Sequence, residues 1–447
     1  MTELARFLAA HPGIDAVQVF ITDGSGVPRG KMVRAGELEA LYRDGRRVAG
    51  SILGLDITGE DVDATGLVWD VGDADGVCRP VPGTLLPSPW LDAPTGQLML
   101  TMFDDAGRPA AADPRHALAR IVGRLAAQGY TPVVACELEF YLLREARGRY
   151  EPADAHSGGE PARIESYSLT RLDDLAPLFA EVHAAARAQG LPAGTTMAEY
   201  APGQFEITLH HRADALRAVD EAILFKRLLR GVARRHGCIA TFMAKPFAER
   251  AGSGLHVHVS LADADGRNLF AADDPAGTPL LRHAIGGLAA TAAESFLVFA
   301  PNANSYRRYL SRSYAPVAPT WGINNRTVSL RVPAGPPASR HVEHRIAGAD
   351  ANPYLAAAVV LAGLAQGIAR RSDPGAPVTG NGYLDTRPRV FPVTWHEAIE
   401  RAAASAFLHD ALGEGFMKVL LAVKRQECER FAAAVTPLDY AWYLRDS

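Results

Sequence analysis

Cysteine is scarce in this sequence, and the spacing of the few cysteines excludes the sites that cysteines most often build. Four occur among 447 residues, at Cys78, Cys136, Cys238 and Cys428. None of them belongs to a CxxC pair, which excludes a zinc ribbon, and so few thiols in so long a chain do not make a disulfide scaffold. This usage is typical of proteins that work in the reducing cytosol.

The chain also lacks an excess of basic charge and a long apolar run. Its formal net charge is −4 at pH 7, whereas proteins that bind nucleic acid usually carry a basic face. The most apolar stretch, Leu355–Leu364, is too short to cross a bilayer. The first residues are acidic where a signal peptide needs basic ones. We therefore expect a cytoplasmic protein without a nucleic-acid or membrane partner.

Length and composition predict a folded protein of two domains. The 447 residues exceed one average domain, and 48% hydrophobic with 21% charged residues is ordinary globular usage. Short strands fill the first part of the chain and helices alternate with strands later, so we place domains at 1–105 and 106–447. That alternation fits parallel βαβ winding and an antiparallel α+β sheet equally well. The predicted helices of the second domain are 113–128, 173–189, 212–236, 353–370 and 395–407.

Three predicted strands, at 133–142, 252–260 and 342–345, carry polar side chains at alternate positions. The pairs are Glu137 and Glu139, His256 and His258, and Glu343 and Arg345. Alternation places each pair on one sheet face, about 7 Å apart along the strand. Carboxylates aligned on one face repel each other, so a cation is expected between them. A solvated sheet face would explain each pair taken singly, but the surrounding runs of the carboxylate and histidine pairs are strongly apolar.

A fourth acidic segment and a series of arginines complete the candidate site. Glu199 and Glu206 flank a Pro-Gly turn, and carboxylates with an occasional imidazole suit Mg²⁺ or Mn²⁺. The arginines that follow are Arg307, Arg308, Arg326, Arg331, Arg340 and Arg345. Carboxylates, divalent metal and arginines are the groups that phosphoryl transfer requires, because charge on the transferred oxygens must be neutralised. A dinucleotide GxGxxG motif and a serine elbow are both absent, and Gly24–Lys31 has the wrong spacing for a phosphate loop.

Eight short motifs occur in an order and at a spacing that one enzyme family shares. They are Glu137–Phe140, Glu199–Glu206, Lys245–Phe247, Gly252–Ser260, Asn304–Arg308, Asn325–Arg326, Glu343–Arg345 and Ala351–Tyr354. Over nearly its whole length the chain resembles the bacterial type I glutamine synthetases. The resemblance implies an α+β fold, with a small β-grasp-like N-terminal domain and a larger catalytic domain that has a curved antiparallel sheet and flanking helices. It also implies a homo-oligomer, usually a dodecamer of two stacked rings, with active sites between neighbouring subunits.

The resemblance implies two divalent metals, Mg²⁺ or Mn²⁺, and assigns ligands to each. The metal nearer the amino-acid substrate would be held by Glu139, Glu199 and Glu206. The metal that bridges the ATP phosphates would be held by Glu137, His256 and Glu343. The implied chemistry activates the γ-carboxylate of glutamate as an acyl phosphate, which an amine then attacks.

Other positions match substrate and nucleotide sites of the family. His258, Ser260 and Arg331 match the ATP site, and Arg340 is expected to compensate there for His341, which stands where an arginine is usual. Arg308 matches the clamp on the α-carboxylate of glutamate, in a substrate site to which Gly252 also belongs. The arginines expected around the transferred phosphoryl group are Arg326 and Arg345.

The sequence departs from the family where ammonium would bind. The flap glutamate of the family is replaced by Tyr314, in Arg312–Pro316, and a phenol with a pKa of about 10 cannot serve as cation ligand and base. Asp56 matches the first ammonium aspartate, whereas the second falls at Gly66 or Leu67 unless Asp63 or Asp70 serves instead. In addition, Ala251 replaces an asparagine near the substrate, and Tyr383 is interpreted as a turn tyrosine rather than an adenylylation site.

These departures indicate the branch of the family that ligates glutamate to an organic amine, either a polyamine or a small monoamine. The acidic run Glu60, Asp61 and Asp63 would suit the distal charge of a polyamine, unless it is only a solvated loop. An apolar monoamine would instead suit a pocket of Tyr309, Tyr314 and Trp321. The alternatives are glutamine synthesis from ammonia, a non-catalytic ring protein of the same family, and guanido kinase-like phosphotransfer.

Overall fold

The structure, a computed structural model, describes residues 1–146, 148–153, 164–310, 313–385 and 390–445. The described part of the chain folds into two curled sheets with flanking helices, which confirms the predicted α+β class. Its helices are α1 (Glu3–Ala10), α2 (Leu38–Asp44), α3 (Pro114–Ala127), α4 (Leu169–Asp174), α5 (Ala176–Ala188), α6 (Ala215–Arg235), α7 (Pro279–Thr291), α8 (Phe296–Phe299), α9 (Pro353–Arg370), α10 (Trp395–Ala403), α11 (Ala406–Leu412), α12 (Glu414–Ala432) and α13 (Pro437–Tyr443). Short 3₁₀ turns lie at Ala35–Glu37, Gly50–Leu53, Asp63–Thr65, Trp69–Val71, Ser305–Arg307, Pro337–Ser339 and Gly382–Leu384.

The first sheet belongs to the N-terminal part of the chain. Its strands are β1 (Ala16–Thr22), β2 (Pro28–Arg34), β3 (Arg46–Ala49), β4 (Asp75–Pro80), β5 (Leu86–Pro87) and β6 (Thr95–Phe103). They run in the order β2-β1-β6-β4-β3, with β5 also paired to β6. Only the β1–β6 pairing in this sheet is parallel, which gives the mixed sheet expected of a β-grasp-like domain.

The second sheet carries the polar pairs predicted from the sequence. Its strands are β7 (Thr131–Ala146), β8 (Arg149–Pro152), β9 (Ala193–Ala198), β10 (Gln204–Leu209), β11 (Ile239–Thr241), β12 (Leu255–Ala262), β13 (Trp321–Ile323), β14 (Leu330–Val332) and β15 (Val342–His344). Along the order β13-β14-β15-β12-β7-β10-β9, every pairing is antiparallel except β13–β14. The antiparallel α+β alternative is therefore the right one, with a parallel pair at one edge that the sequence did not predict.

Several predicted boundaries shift for local reasons. The predicted helix 173–189 divides into α4 and α5, and 395–407 divides into α10 and α11, where Ser405 caps a new start by accepting a hydrogen bond from the Leu408 amide. The histidine strand begins at Leu255, so Gly252 and Gly254 precede it.

Helix α9, the apolar segment of the sequence, is a core helix. It is long and apolar enough to cross a membrane by length and composition alone, but 72% of that window is buried inside the protein. Asn352 caps its start by accepting a hydrogen bond from the Tyr354 amide, with Pro353 in the first turn. Glycines allow α7 to approach α9 very closely. A Cβ on Gly287 of α7 would lie 2.2 Å from the carbonyl oxygen of Gly363 of α9.

The two parts of the chain share their apolar cores. Val419 and Val423 of α12 are buried in the N-terminal core beside Val17 and Leu98. In the other direction, Trp90 belongs to the large core and lies against Gly231 of α6, where a Cβ would approach its ring to 2.4 Å. The last long helix therefore fixes the N-terminal sheet onto the catalytic part. The boundary at residue 105, which falls between β6 and α3, stays a prediction.

Candidate active site

The candidate site lies on one face of the second sheet, around the middle of β7. The strand register places Glu137 opposite His256 on β12, and Glu139 opposite Glu206 on β10. Glu343 of β15 lies opposite His258 on one side and Arg331 on the other. Antiparallel pairing of five strands thus brings together side chains that are far apart in the sequence.

Glu137 is the centre of this cluster. One of its oxygens lies 2.5 Å from His256 Nδ1, and the other lies 3.2 Å from His258 Nε2. Ligand atoms of Glu137, Glu139, Glu206 and His256 all lie within 4.8 Å of one another. Glu137, His258 and Glu343 form a second group by the same measure, so Glu137 belongs to both groups.

The acids of the first group are buried against one another, and their pKa values reflect it. Burial, together with the Glu137 and Glu139 carboxylates, raises the pKa of Glu206 to about 11. Burial and Glu199 raise the pKa of Glu139 to about 8. Burial also opposes the charge on Glu137, but His256 and His258 outweigh it and lower the pKa of that carboxyl well below its usual value. Buried carboxylates that face each other beside an imidazole fit a divalent cation such as Mg²⁺ or Mn²⁺.

These pKa shifts predict that metal binding releases protons. In the metal-free protein at neutral pH, Glu139 and Glu206 hold protons because their pKa values are raised, and a bound cation must displace them. Affinity for Mn²⁺ should therefore rise as the pH increases from 6 towards 8. Calorimetric titration at pH 7 in two buffers of different ionisation enthalpy should show net proton release. Binding heats that do not depend on the buffer would contradict this.

Glu343 is already balanced by two arginines. It accepts hydrogen bonds from Arg331 Nη1 at 2.8 Å and from Arg345 Nη1. Burial works against its charge, but Arg345 and the two histidines lower the pKa of Glu343 to about 2. Because arginine does not lose its proton, this carboxylate stays ionised and fixes both guanidinium groups at the edge of the cluster.

The geometric grouping differs from the assignment implied by the family. Among the described residues, Glu199 lies outside both close groups, although its charge raises the pKa of Glu139. Burial raises the pKa of Glu199 itself, and the charges of Arg326 and Arg345 offset this only in part. His258, predicted for the ATP site, takes the place expected of His256 in the second group. Glu199 follows β9 on a turn, so its carboxylate is not placed by the sheet register.

Of the residues predicted for the ATP site, some contact the cluster and others do not. His258 Nδ1 lies 3.0 Å from His341 Nε2, whose other ring nitrogen donates to the Ser339 carbonyl at 2.7 Å. His341 therefore contacts the cluster, whereas the side chain of Arg340 is directed to the Ala272 carbonyl at 3.3 Å. The predicted compensation by Arg340 has no support in these contacts. Ser260 continues the alternation of β12 and is opposite Val133, and Arg326 is exposed.

Arg308 is buried on the other side of the cluster, next to the loop that precedes β12. Its Nη1 donates to the Ile346 carbonyl at 2.8 Å, and only 3% of the residue is exposed. A Cβ on Gly252 would lie 2.7 Å from both Arg308 Cγ and the Ala244 carbonyl oxygen, and one on Gly254 would lie 2.6 Å from Arg308 Nη2. The absence of side chains at these two glycines leaves the space that the Arg308 side chain occupies.

Substitution Gly252→Ala should weaken glutamate binding. The added methyl group meets a backbone oxygen as well as Arg308, so the arginine has to shift. We expect the KM for glutamate to rise about tenfold to a hundredfold while the KM for ATP changes little. Gly123→Ala is the matched control, because nothing lies within 4 Å of a Cβ there. Unchanged glutamate kinetics in Gly252→Ala would separate Gly252 from the substrate site.

Asp56 and Tyr314 lie in different surroundings. Asp56 is buried in the N-terminal part of the chain, where it accepts hydrogen bonds from Thr58, from the Glu60 amide and from Arg430 of α12. Tyr314 is 58% exposed, with a left-handed φ of 58° that is strained for a tyrosine. Its neighbour Arg312 lies outside the described residues.

Two of the acids predicted to bind an amine already have partners within the chain. Glu60 is paired with Arg430, and Asp63 accepts a hydrogen bond from the exposed Trp69 indole at 3.0 Å. Tyr383 does lie in a 3₁₀ turn, and its hydroxyl donates to the Ala315 carbonyl at 2.9 Å, next to Tyr314. The sequence pattern alone gave no sign of this contact or of the contact between His258 and His341.

Comparison of the sequence with known protein families shows the family to which this chain belongs. The profile of the glutamine synthetase catalytic domain matches residues 111–443, which include every strand of the second sheet. This chain belongs to the glutamine synthetase family. Members of this family use ATP and divalent metals, which fits the carboxylate and histidine cluster of this glutamine synthetase homologue.

Several characterised relatives in the glutamine synthetase family are similar to this chain over most of its length. Gamma-glutamylputrescine synthetase of Escherichia coli (strain K12) is 38% identical over 450 residues, which cover 100% of this chain and 95% of the relative. Gamma-glutamylethanolamide synthetase of Streptomyces coelicolor is 34% identical, with 98% and 94% covered. A solved structure described as a GmaS/ADP complex superposes with a TM-score of 0.86 at 29% identity, and covers 99% of this chain and 100% of its own.

Proposed function

We propose that this protein is an ATP-dependent ligase that activates the γ-carboxylate of glutamate as an acyl phosphate and joins it to an organic amine. The observation that carries the proposal is the sheet-face cluster around Glu137, with arginines on two sides of it. The names of relatives that match nearly the full chain, gamma-glutamylputrescine and gamma-glutamylethanolamide synthetases, support an amine as the acceptor.

In the proposed reaction, different parts of the site would bind different substrates. Two divalent ions, Mg²⁺ or Mn²⁺, held by the Glu137 cluster and Glu199, would neutralise phosphate oxygens and favour in-line transfer. Arg345 and Arg331 are held at the cluster edge by Glu343, in position to stabilise charge on the transferred phosphoryl group. Arg308, on the opposite side, would bind the α-carboxylate of glutamate through its unshared N–H groups.

The tyrosine that replaces the flap glutamate of the family favours an organic amine over ammonium as the acceptor. Tyr314 has no carboxylate with which to bind a small cation and remove its proton. The acceptor would be a polyamine or a small monoamine. Because Glu60 and Asp63 already have partners within the chain, Asp61 is the acid of that run that would bind a distal ammonium group. We place the proposed reaction in polyamine catabolism and nitrogen metabolism, in the cytoplasm.

The assembly proposed is a homo-oligomer, a dodecamer of two rings, in which each site is completed by a neighbour. Within its own chain Asp56 pairs with Arg430 of α12, and in this assembly it would belong to the site of a neighbouring subunit. Its carboxylate would then act across a subunit interface. In the folded chain burial opposes the charge of Asp56, but hydrogen bonds from Thr58 and the Glu60 amide, together with the charge of Arg430, hold its pKa below the usual value, so it stays ionised.

Isotope transfer tests the proposed reaction. Glutamate labelled with ¹⁸O in its γ-carboxylate should lose one labelled oxygen to inorganic phosphate as the amide forms with an amine such as putrescine. Mass spectrometry of phosphate and product detects both events. Phosphate without the label would exclude an acyl phosphate, and a protein that forms neither product nor phosphate across a panel of amines would favour the non-catalytic ring alternative.

A further inference from the structure

We infer that Arg171 is a positioning residue that holds Glu199 at the metal centre, an inference that rests on the proposed function. Five of the six candidate metal ligands lie on strands, where sheet pairing fixes them. Glu199 instead lies in the turn between β9 and β10. Its place in the site therefore depends on whatever holds that turn.

Arg171 of α4 holds the turn by its carbonyl groups. Nη1 donates to the Glu199 carbonyl at 2.8 Å, and Nη2 donates to the Ala201 and Gln204 carbonyls at 2.8 and 3.2 Å. Three carbonyls of a single turn thus converge on one planar guanidinium. Lysine could not reproduce this arrangement, because its donors radiate from one nitrogen at the end of a flexible chain.

Packing keeps the guanidinium in place. Arg171 is 2% exposed, and its guanidinium carbon lies 5.3 Å from the centre of the Phe205 ring. Phe205 is held in turn by Phe179, with ring centres 5.0 Å apart. A rigid, buried cation of this kind can fix the turn to within the few tenths of an ångström that a metal ligand needs.

The turn is also connected to the glutamate side of the site. The Gln204 side chain donates to the Gly252 carbonyl at 3.0 Å, and Gly252 lies against Arg308. Displacement of the turn would therefore weaken the Glu199 metal position first and glutamate binding second. ATP binding should change least, because its predicted residues are fixed by β12, β14 and β15.

The test is a titration of the full-length, chelator-treated protein with Mn²⁺. Electron paramagnetic resonance measures the concentration of free Mn²⁺ and hence the amount bound. We expect Arg171→Lys to weaken one of two Mn²⁺ sites about tenfold to a hundredfold, the usual effect of removing a group that orients a ligand. Arg227→Lys is the matched control, since Arg227 also lies over a phenylalanine ring, Phe20 at 5.2 Å, but donates to Gln97 at the domain contact. It should leave both sites unchanged.

A double substitution separates positioning from general destabilisation. If Arg171 acts through Glu199, adding Arg171→Lys to Glu199→Gln should weaken Mn²⁺ no further than Glu199→Gln alone. Additive losses, unchanged Mn²⁺ binding in Arg171→Lys, or failure of that variant to fold would each overturn the inference. A wild-type protein that binds no Mn²⁺ would instead contradict the proposed metal centre. Even if the wild-type protein binds no Mn²⁺, amide hydrogen exchange can test whether Arg171 holds the turn. Exchange in the 199–206 segment should be faster in Arg171→Lys but not in Arg227→Lys.

Discussion

Glu137→Gln should reduce glutamate- and amine-dependent ADP formation by about a thousandfold or more, the largest loss of activity we expect from one substitution. Glu137 is shared by both ligand groups, so the change removes a charged ligand from two cation positions at once. It also removes the partner of both histidines. Steady-state ADP release with saturating glutamate and amine measures the effect.

The fold should survive this substitution. The hydrogen-bond partners of Glu137 are His256 and His258, and both can lose their charge, so the substitution leaves no permanent buried charge without a partner. Glu145→Gln is the control, because Glu145 lies on the same strand but is exposed. Near-normal turnover in Glu137→Gln, with unchanged Mn²⁺ binding, would show that β7 does not carry the metal centre.

Glu343→Gln should also abolish activity, and in addition it should destabilise the protein by about 3 kcal/mol. Glu343→Gln is expected to destabilise the protein more than Glu137→Gln because the partners of Glu343 are arginines. Arg331 and Arg345 cannot become neutral, and their side chains are only 12% and 5% exposed. Removing the carboxylate leaves both charges buried without their counterion. Thermal unfolding of the metal-free protein should show a clear fall in Tm for Glu343→Gln and little change for Glu137→Gln.

Glu221→Gln provides the matched comparison for that loss of stability. Glu221 is also buried between two arginines, Arg212 and Arg217, but their side chains are 40% and 25% exposed. Water can therefore solvate these guanidinium groups when the carboxylate is lost, and the cost should be well below that of Glu343→Gln. Equal destabilisation by the two substitutions would mean that solvent access to the arginines does not set the cost.

The polar pairs of the site were predictable because strand periodicity is local. Glu137 and Glu139, or His256 and His258, must share a face once each segment is a strand, and the structure confirms this. Which pair faces which is a property of register between distant strands, and no local pattern determines it. The residues alone therefore left parallel and antiparallel sheets open, and the family resemblance decided correctly.

Other features of the site were not predictable because they depend on tertiary contacts. His341 was identified only as a departure from the family, but it contacts His258 because a turn after Ser339 brings it to β12. Arg171 belongs to no motif, and only the folded chain shows the three carbonyl groups of the 199–204 turn that it binds. Asp56 faces α12 within its own chain, so its proposed role depends on a neighbouring subunit that a single sequence does not describe.

The central claim is that this member of the glutamine synthetase family uses an organic amine in place of ammonium. The most direct measurement is kcat/KM for putrescine, ethanolamine, isopropylamine and ammonium, with ATP, glutamate and Mg²⁺ held at saturation and phosphate release followed. We predict that at least one organic amine exceeds ammonium by about a hundredfold or more, because Tyr314 supplies no carboxylate for a small cation. Turnover with ammonium equal to or above that of every amine would contradict the account.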